Sequence, residues 1–173
     1  GAARSLWRIS EFTGGDLVIC EGELDACSFE ECGIQATSVP NGAPLGEVKS
    51  GTGKKFSYLW DAKDVIERAD RIILATDRDA PGDALAEEIA RRVGKARCWR
   101  VPFPDGCKDA NDVLKEHGKK ILAECIEHAE PYPIVGTYTT GDLSEQLFDL
   151  YDNGLEKGVS TGWDSLDKHY LIR

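Results

Sequence analysis

Methionine is missing altogether, histidine occurs three times, and no two cysteines stand in a C-x-x-C pair. The missing methionine, the initiator included, suggests a piece of a longer chain. The six cysteines, Cys20, Cys27, Cys32, Cys98, Cys107 and Cys125, have neither zinc-finger spacing nor histidines placed to complete it, so they read as reduced, mostly buried and without a metal role. No apolar run approaches the about 18 residues of a membrane span, and the opening "GAARSLWRIS" lacks the apolar core of a signal peptide. A soluble, intracellular protein without a membrane partner is expected. Basic residues are also short, 21 against 31 acidic for a net charge of −10, which excludes a nucleic-acid-coating surface over the whole chain. Contact with nucleic acid must be local or helped by metal ions.

What is present is enough for a core: 41% hydrophobic residues in a chain of 173. "DLVIC" is a continuous apolar run, as in a strand buried on both faces, and "ELDACSFEECGI" follows as a helix ended near Gly33. "QATSVPNGAP" reads as a second strand running into a turn, and Leu45 to Lys55 as a mobile Gly- and Lys-rich loop. One helix is expected over "FSYLWDAKDVIERAD", a third strand over "RIILAT", a helix over "PGDALAEEIARRV" with Pro81 in its first turn, and a fourth strand over "ARCWRVPF". Ala110, Val113, Leu114 and His117 form one apolar stripe, repeated after Gly118 by Ile121, Leu122, Cys125 and Ile126. This alternation predicts an α/β fold: a small, mainly parallel sheet of about four strands flanked by helices. Pro131 and Pro133 then open a linker over 131–157, with one amphipathic helix near 142–151 carrying Leu143, Leu147, Leu150 and Tyr151 on a stripe. Asp142 and Glu145 fit a capping box at its start.

The chemistry lies at strand ends, where a parallel sheet binds its ligands. "DLVIC" delivers Glu21, with Gly22, Glu23 and Asp25 behind it. "RIILAT" delivers Asp77 and Asp79, and "WRVPF" leads to Lys108, Asp109, Asn111 and Asp112. Carboxylates gathered at one edge repel unless a hard divalent cation neutralises them, and oxygen-only ligands suit Mg²⁺ or Mn²⁺. Each element also has a plainer role: Asp79 as a helix N-cap, Glu21, Glu23 and Asp25 as charge at a helix start, and Lys108 to Asp112 as a solvated helix entry.

"VICEGELDA", "IILATDRDAPG" and "KDANDVL" resemble the three signatures of the toprim domain, the α/β catalytic module of DNA primases, topoisomerases and some nucleases. The ordered set, with "SVPNGAP", "CWRVPFPDGCKDANDVL" and "AEPYPI", resembles more closely the bifunctional DNA primase-helicases of phage type and Twinkle-like organellar type. The resemblance implies a toprim fold over 1–130, an interdomain linker over 131–157, and over 158–173 the start of a truncated RecA-like helicase domain. It implies an acid/base or metal-associated role for Glu21, Mg²⁺ binding by Asp77 and Asp79 with Asp109 in support, and nucleotide contacts by Lys108, Arg78 and Asn111. Gly22 and Gly82 would keep the backbone clear. The implied reaction is RNA primer synthesis on a single-stranded DNA template from ribonucleoside triphosphates, in which a 3′-hydroxyl attacks an α-phosphate and pyrophosphate leaves. The linker-helix stripe would contact the adjacent subunit of a ring-shaped oligomer. "GEVKSGTGKK" fails as a Walker A motif and no other phosphate-binding loop is present, so this stretch is not expected to act as a motor, and by itself it should prime weakly. The implied setting is the cytoplasm of a bacterium, phage-infected included, with mitochondrion or plastid as the alternative. Two other readings stay open: a catalytically silent toprim module serving a helicase structurally, and an aspartate-nucleophile phosphatase.

Overall fold

The computed structural model describes residues 4–43, 53–138, 140–154 and 160–169; the loop expected over Leu45 to Lys55 lies largely outside them. The chain divides into two compact units, Gly1–Ile134 and Val135–Arg173.

The first unit is built on a sheet of strands β1 (Gly15–Cys20), β2 (Ala36–Ser38), β3 (Ala69–Ala75), β4 (Cys98–Arg100) and β5 (Glu130–Pro131), in the order β2-β1-β3-β4-β5. The first four are parallel, and β5 adds to β4 antiparallel. The expected four-strand parallel sheet is there, with one short edge strand that two prolines had disguised as a break. Pro131 is tolerated because it sits on the sheet edge, where no further strand asks for its missing N–H.

Successive residues of the two central strands point to opposite faces. Leu17, Ile19, Ile72 and Leu74 enter one core with α2 (Ser57–Asp61), α3 (Lys63–Ile66) and α4 (Ala80–Val93). Val18, Cys20, Ile73 and Ala75 enter the other with α1 (Glu23–Glu30) and α5 (Ala110–Glu127). Both faces are dry, which is why "DLVIC" and "IILA" do not alternate. Val18, Ile19, Ile72, Ile73 and Leu74 are fully buried, each contributing about 1.5–3 kcal/mol by transfer from water.

Two local differences have physical causes. The helix expected over "FSYLWDAKDVIERAD" is broken at Ala62 (φ −94°, ψ 6°) into α2 and α3, and its last residues, Ala69 and Asp70, already belong to β3. Gly118 interrupts α5 at φ 81°, so the stripe before it does not run through: Ala110 and Val113 are buried, whereas His117 is exposed. In the second unit α6 (Ser144–Asn153) begins from Leu143, which offers no side-chain cap. A short helix, α7 (Asp164–Asp167), follows, and Asp167 accepts hydrogen bonds from Ser160 and from both the N–H and the hydroxyl of Thr161.

Candidate functional site

The sheet register sets the site. Cys20 pairs with Ala75 and with Ser38, and Leu74 with Arg100, so β1, β3 and β4 end at one edge. β1 is followed by α1 towards one face and β3 by α4 towards the other. The chain diverges between these two strands, which opens a crevice above their carboxyl ends. Glu21 lies directly after β1, and Asp77 two residues after β3.

Asp79 and Asp109 each open a helix. Asp79 is the N-cap of α4, its Oδ1 accepting from the Gly82 N–H at 2.9 Å. Asp109 is the N-cap of α5, its Oδ1 accepting from the Asp112 N–H at 2.8 Å. The capping role read for Asp79 is therefore real, and it engages one oxygen only. The other, Oδ2, lies 3.1 Å from the Lys108 ammonium, which also reaches Asp77 Oδ2 at 2.7 Å. These two carboxylates hold the Lys108 pKa above its ordinary value, and the Gly82 N–H, followed by Lys108, holds that of Asp79 below its own.

Glu21 is anchored by one oxygen. Its Oε1 accepts from the Ala43 N–H at 3.0 Å, while Oε2 is buried with no hydrogen-bond partner. Burial raises the Glu21 pKa, and the charges of Asp77 and Asp79 raise it further. An unpaired buried carboxylate oxygen beside two more carboxylates is costly unless a cation meets it.

Asp25, which the sequence set behind Glu21 at the strand end but named in no site role, belongs to the same cluster. It is 8% exposed, and burial, together with the charges of Asp109 and Asp77, pushes its pKa up to about 6. Gly22 is the N-cap of α1 and has no side chain to offer, and Asp25, at the third helical position, turns back towards it. Asp25 accepts from the Asn111 N–H at 3.2 Å, which ties α1 to α5. Asn111 thus meets the site through its backbone. The signal for Asp25 was the G-x-x-D spacing at a strand end.

Gly82 holds the approach of α4 to the site. A Cβ there would stand 2.3 Å from the Asp77 carbonyl oxygen, which no relaxation of a side chain relieves. At Gly22 an added Cβ would meet Asp25 Oδ2 at 3.1 Å. Below Asp77, Arg100 donates to the Thr76 hydroxyl, to the Asp77 carbonyl at 3.1 Å and to Asp83 Oδ1 at 3.0 Å, and Thr76 donates to the Gly82 carbonyl at 2.6 Å. This network fixes the loop that carries Asp77, and nothing in the sequence pattern pointed to it.

Arg78 turns away from the strand-end carboxylates, towards Asp105 at 3.4 Å. Its guanidinium donates to the Phe103 carbonyl at 2.8 Å and the Pro104 carbonyl at 3.0 Å, and its N–H to the Lys108 carbonyl at 2.9 Å, so it braces the loop before α5. Glu21, Asp25, Asp77, Asp79, Asp109 and Lys108 are electrostatically coupled. Among the described residues, no three of these carboxylates bring one oxygen each within 4.8 Å of one another. Repulsion among so many acidic groups around one ammonium accounts for that spacing.

Comparison with known proteins gives this geometry its context. The Toprim-like family matches residues 18–114. A Twinkle homolog protein, chloroplastic/mitochondrial, of Arabidopsis thaliana is 45% identical over 170 residues, covering 91% of this chain and 24% of its own length. A primase homolog protein of the same plant is 45% identical over 130 residues, 69% of this chain and 39% of its own. The chain thus spans about a quarter to two fifths of these relatives. Among solved structures, the primase domains of two gp4 subunits bound to an RNA/DNA hybrid, in a complex with bacteriophage T7 lagging-strand DNA polymerase, align with TM-score 0.59 and 25% identity over 76% of this chain and 65% of that one. The primase fragment of the T7 primase-helicase aligns with TM-score 0.56 and 24% identity over 70% and 48%, a likeness of fold. With the family match covering more than half of the chain and all three acidic strand ends, the protein belongs to the Toprim-like family.

Proposed function

We propose that the first unit is the nucleotidyl-transfer module of a primase-helicase, and that the longer protein to which this chain belongs makes RNA primers on single-stranded DNA. The observation that carries the reading is the convergence of Glu21, Asp77, Asp79 and Asp109 with Lys108 at one sheet edge, with Glu21 Oε2 buried and unpartnered. The primase and Twinkle homologs support it, both 45% identical.

The donor set fits a hard divalent cation, Mg²⁺ or Mn²⁺: carboxylate oxygens alone, one of them orphaned, and more negative charge than one ammonium offsets. Glu21, Asp77 and Asp79 would hold it, with Asp109 in support, and bound there it would neutralise phosphate charge and ease deprotonation of an attacking hydroxyl. The chain's own residues do the rest. Lys108 is the counter-charge of the acidic pair, and an incoming triphosphate competes with Asp77 and Asp79 for it. Before a cation occupies that oxygen, Glu21, with its raised pKa, is placed to hold or pass a proton at Oε2. Asp25 and the Asn111 N–H keep α1 and α5 in register around the crevice. Arg78 acts as a brace for the loop bearing Lys108 and not as a triphosphate contact.

In this reading residues 1–130 form the toprim domain, 131–157 the linker and 158–173 the start of the helicase domain, with Leu143, Leu147, Leu150 and Tyr151 facing a neighbouring subunit of a ring. The name of the 45% identical plant relative favours an organelle over a bacterial cytoplasm. The Lys108 bridge also suits the second reading, a silent module in which an internal ammonium permanently replaces the cation.

Calorimetric titration with Mg²⁺ and Mn²⁺ separates the two. Wild type should bind, and Asp77→Asn/Asp79→Asn should not, with primer synthesis by the longer protein disappearing in the same variant. Equal, weak binding in both proteins and no primers from wild type would establish the silent module.

A further inference from the structure

Outside the strand-end cluster, Cys107, Glu116 and His117 form a group whose ligand atoms all lie within 4.8 Å of one another. Cysteine spacing gave no hint of it, because the partners come from a helix that folds back. Cys107 precedes α5, and Glu116 and His117 sit on α5 immediately before its break at Gly118. The Cys107 Sγ donates to Glu116 Oε2 at 3.7 Å. Bond lengths of about 2.0–2.3 Å around tetrahedral zinc place neighbouring ligand atoms about 3.4–3.8 Å apart, so the thiol and carboxylate already stand at a coordination edge, and only the imidazole must close.

We propose that Cys107, Glu116 and His117 are a three-ligand site for Zn²⁺ or a similar borderline divalent cation, with the fourth position left to water. The charges match: a thiolate, a carboxylate and a neutral imidazole balance two positive charges. Binding forms the metal–sulfur bond and sends the S–H proton to solvent, with no change of oxidation state. The sulfur and nitrogen donors select against Mg²⁺, which separates this site from the oxygen-only cluster. Cys107 is 3% exposed while Glu116 and His117 face solvent, so the ion enters from the helix side and closes onto a buried anchor. Its place gives it a role. Cys107 is the residue before Lys108, in a loop held by Arg78 and by the Cys107 N–H on the Pro104 carbonyl at 3.1 Å. A metal here clamps that loop to α5 and fixes the base of Lys108.

The test is Co²⁺ titration of the 173-residue chain, followed by thiolate-to-metal charge-transfer absorption, with competition by Zn²⁺. The expected result is one equivalent with a thiolate band that Zn²⁺ removes. Cys107→Ser and His117→Gln should each weaken binding by more than the about 10–100-fold that losing an outer-shell partner costs, and Asp77→Asn/Asp79→Asn should leave the band unchanged. His117 is exposed, so its variant stays folded even if Cys107→Ser does not. No thiolate band in wild type, a band that survives His117→Gln, or one abolished by the Asp77/Asp79 variant overturns the proposal.

Discussion

Asp25 shows how surroundings decide what a carboxylate does. Its ordinary value of 3.8 is raised to about 6 in the fold, chiefly by burial. Between those values the folded state binds more protons than the unfolded one, so this group's contribution to stability is complete below about pH 4 and is lost as pH rises through about 6. A shift of about two units corresponds to about 3 kcal/mol. In metal-free protein, denaturant unfolding at pH 4.5 and 7 should therefore show Asp25→Asn gaining on wild type as pH rises, by up to about 2 kcal/mol, since pH 4.5 already lies above the unfolded value. Superimposable profiles would mean that Asp25 is not strained in the fold. Glu21, Asp77, Asp79 and Lys108 stood out in sequence because each lies within two residues of a strand end or of a helix start. Arg78 turns to the Phe103 and Pro104 carbonyls, and its place between two aspartates could not say which way its side chain leaves the loop. Arg100 and Thr76 were invisible, since they meet only once β4 pairs with β3.

At the scale of elements, the two aspartate-capped helices carry a choice between structure and chemistry. Removing the Asp109 cap with Asp109→Ala should cost about 1 kcal/mol, whereas Asp109→Asn keeps a capping oxygen and should cost little. If Asp109 also supports a cation, both variants should weaken Mg²⁺ binding alike. Calorimetry and denaturant unfolding on the pair separate the two contributions, and wild-type Mg²⁺ affinity in Asp109→Asn would leave Asp109 as a cap alone. The strands and long helices could be read because apolar runs and 3.6-residue stripes are local. The split at Ala62 could not, because nothing in "FSYLWDAKDVIERAD" weakens helical periodicity there; β3 has to begin at Ala69 to pair with Gly15. The same holds for β5, whose two residues count as a strand only because β4 offers an unpaired edge.

For the whole molecule, α6 raises the matter of partners. Within the described residues it buries none of its side chains, and Leu147, Phe148 and Tyr151 are 52%, 69% and 87% exposed. An apolar stripe of this kind is expected to be covered in an assembly. Leu147→Asp with Tyr151→Ser in the longer protein should weaken self-association at least tenfold, about 1.4 kcal/mol, as read by sedimentation, without moving the unfolding of the first unit. Unchanged association would remove α6 from the subunit contact.

The sequence by itself determined the α/β class, the faces of the main helices and the acidic strand ends, because periodicity and the residue following a strand are properties of neighbouring positions. Tertiary structure alone decided which oxygens remain free. Register aligned Cys20 with Ala75 and so brought Glu21 beside the Asp77 loop, burial turned Asp25 from a helix-start charge into a strained carboxyl, and the fold of α5 placed Glu116 and His117 on Cys107. Each of these depends on distances between residues far apart in the chain, which are set when the two faces of the sheet are packed and by no local pattern before that.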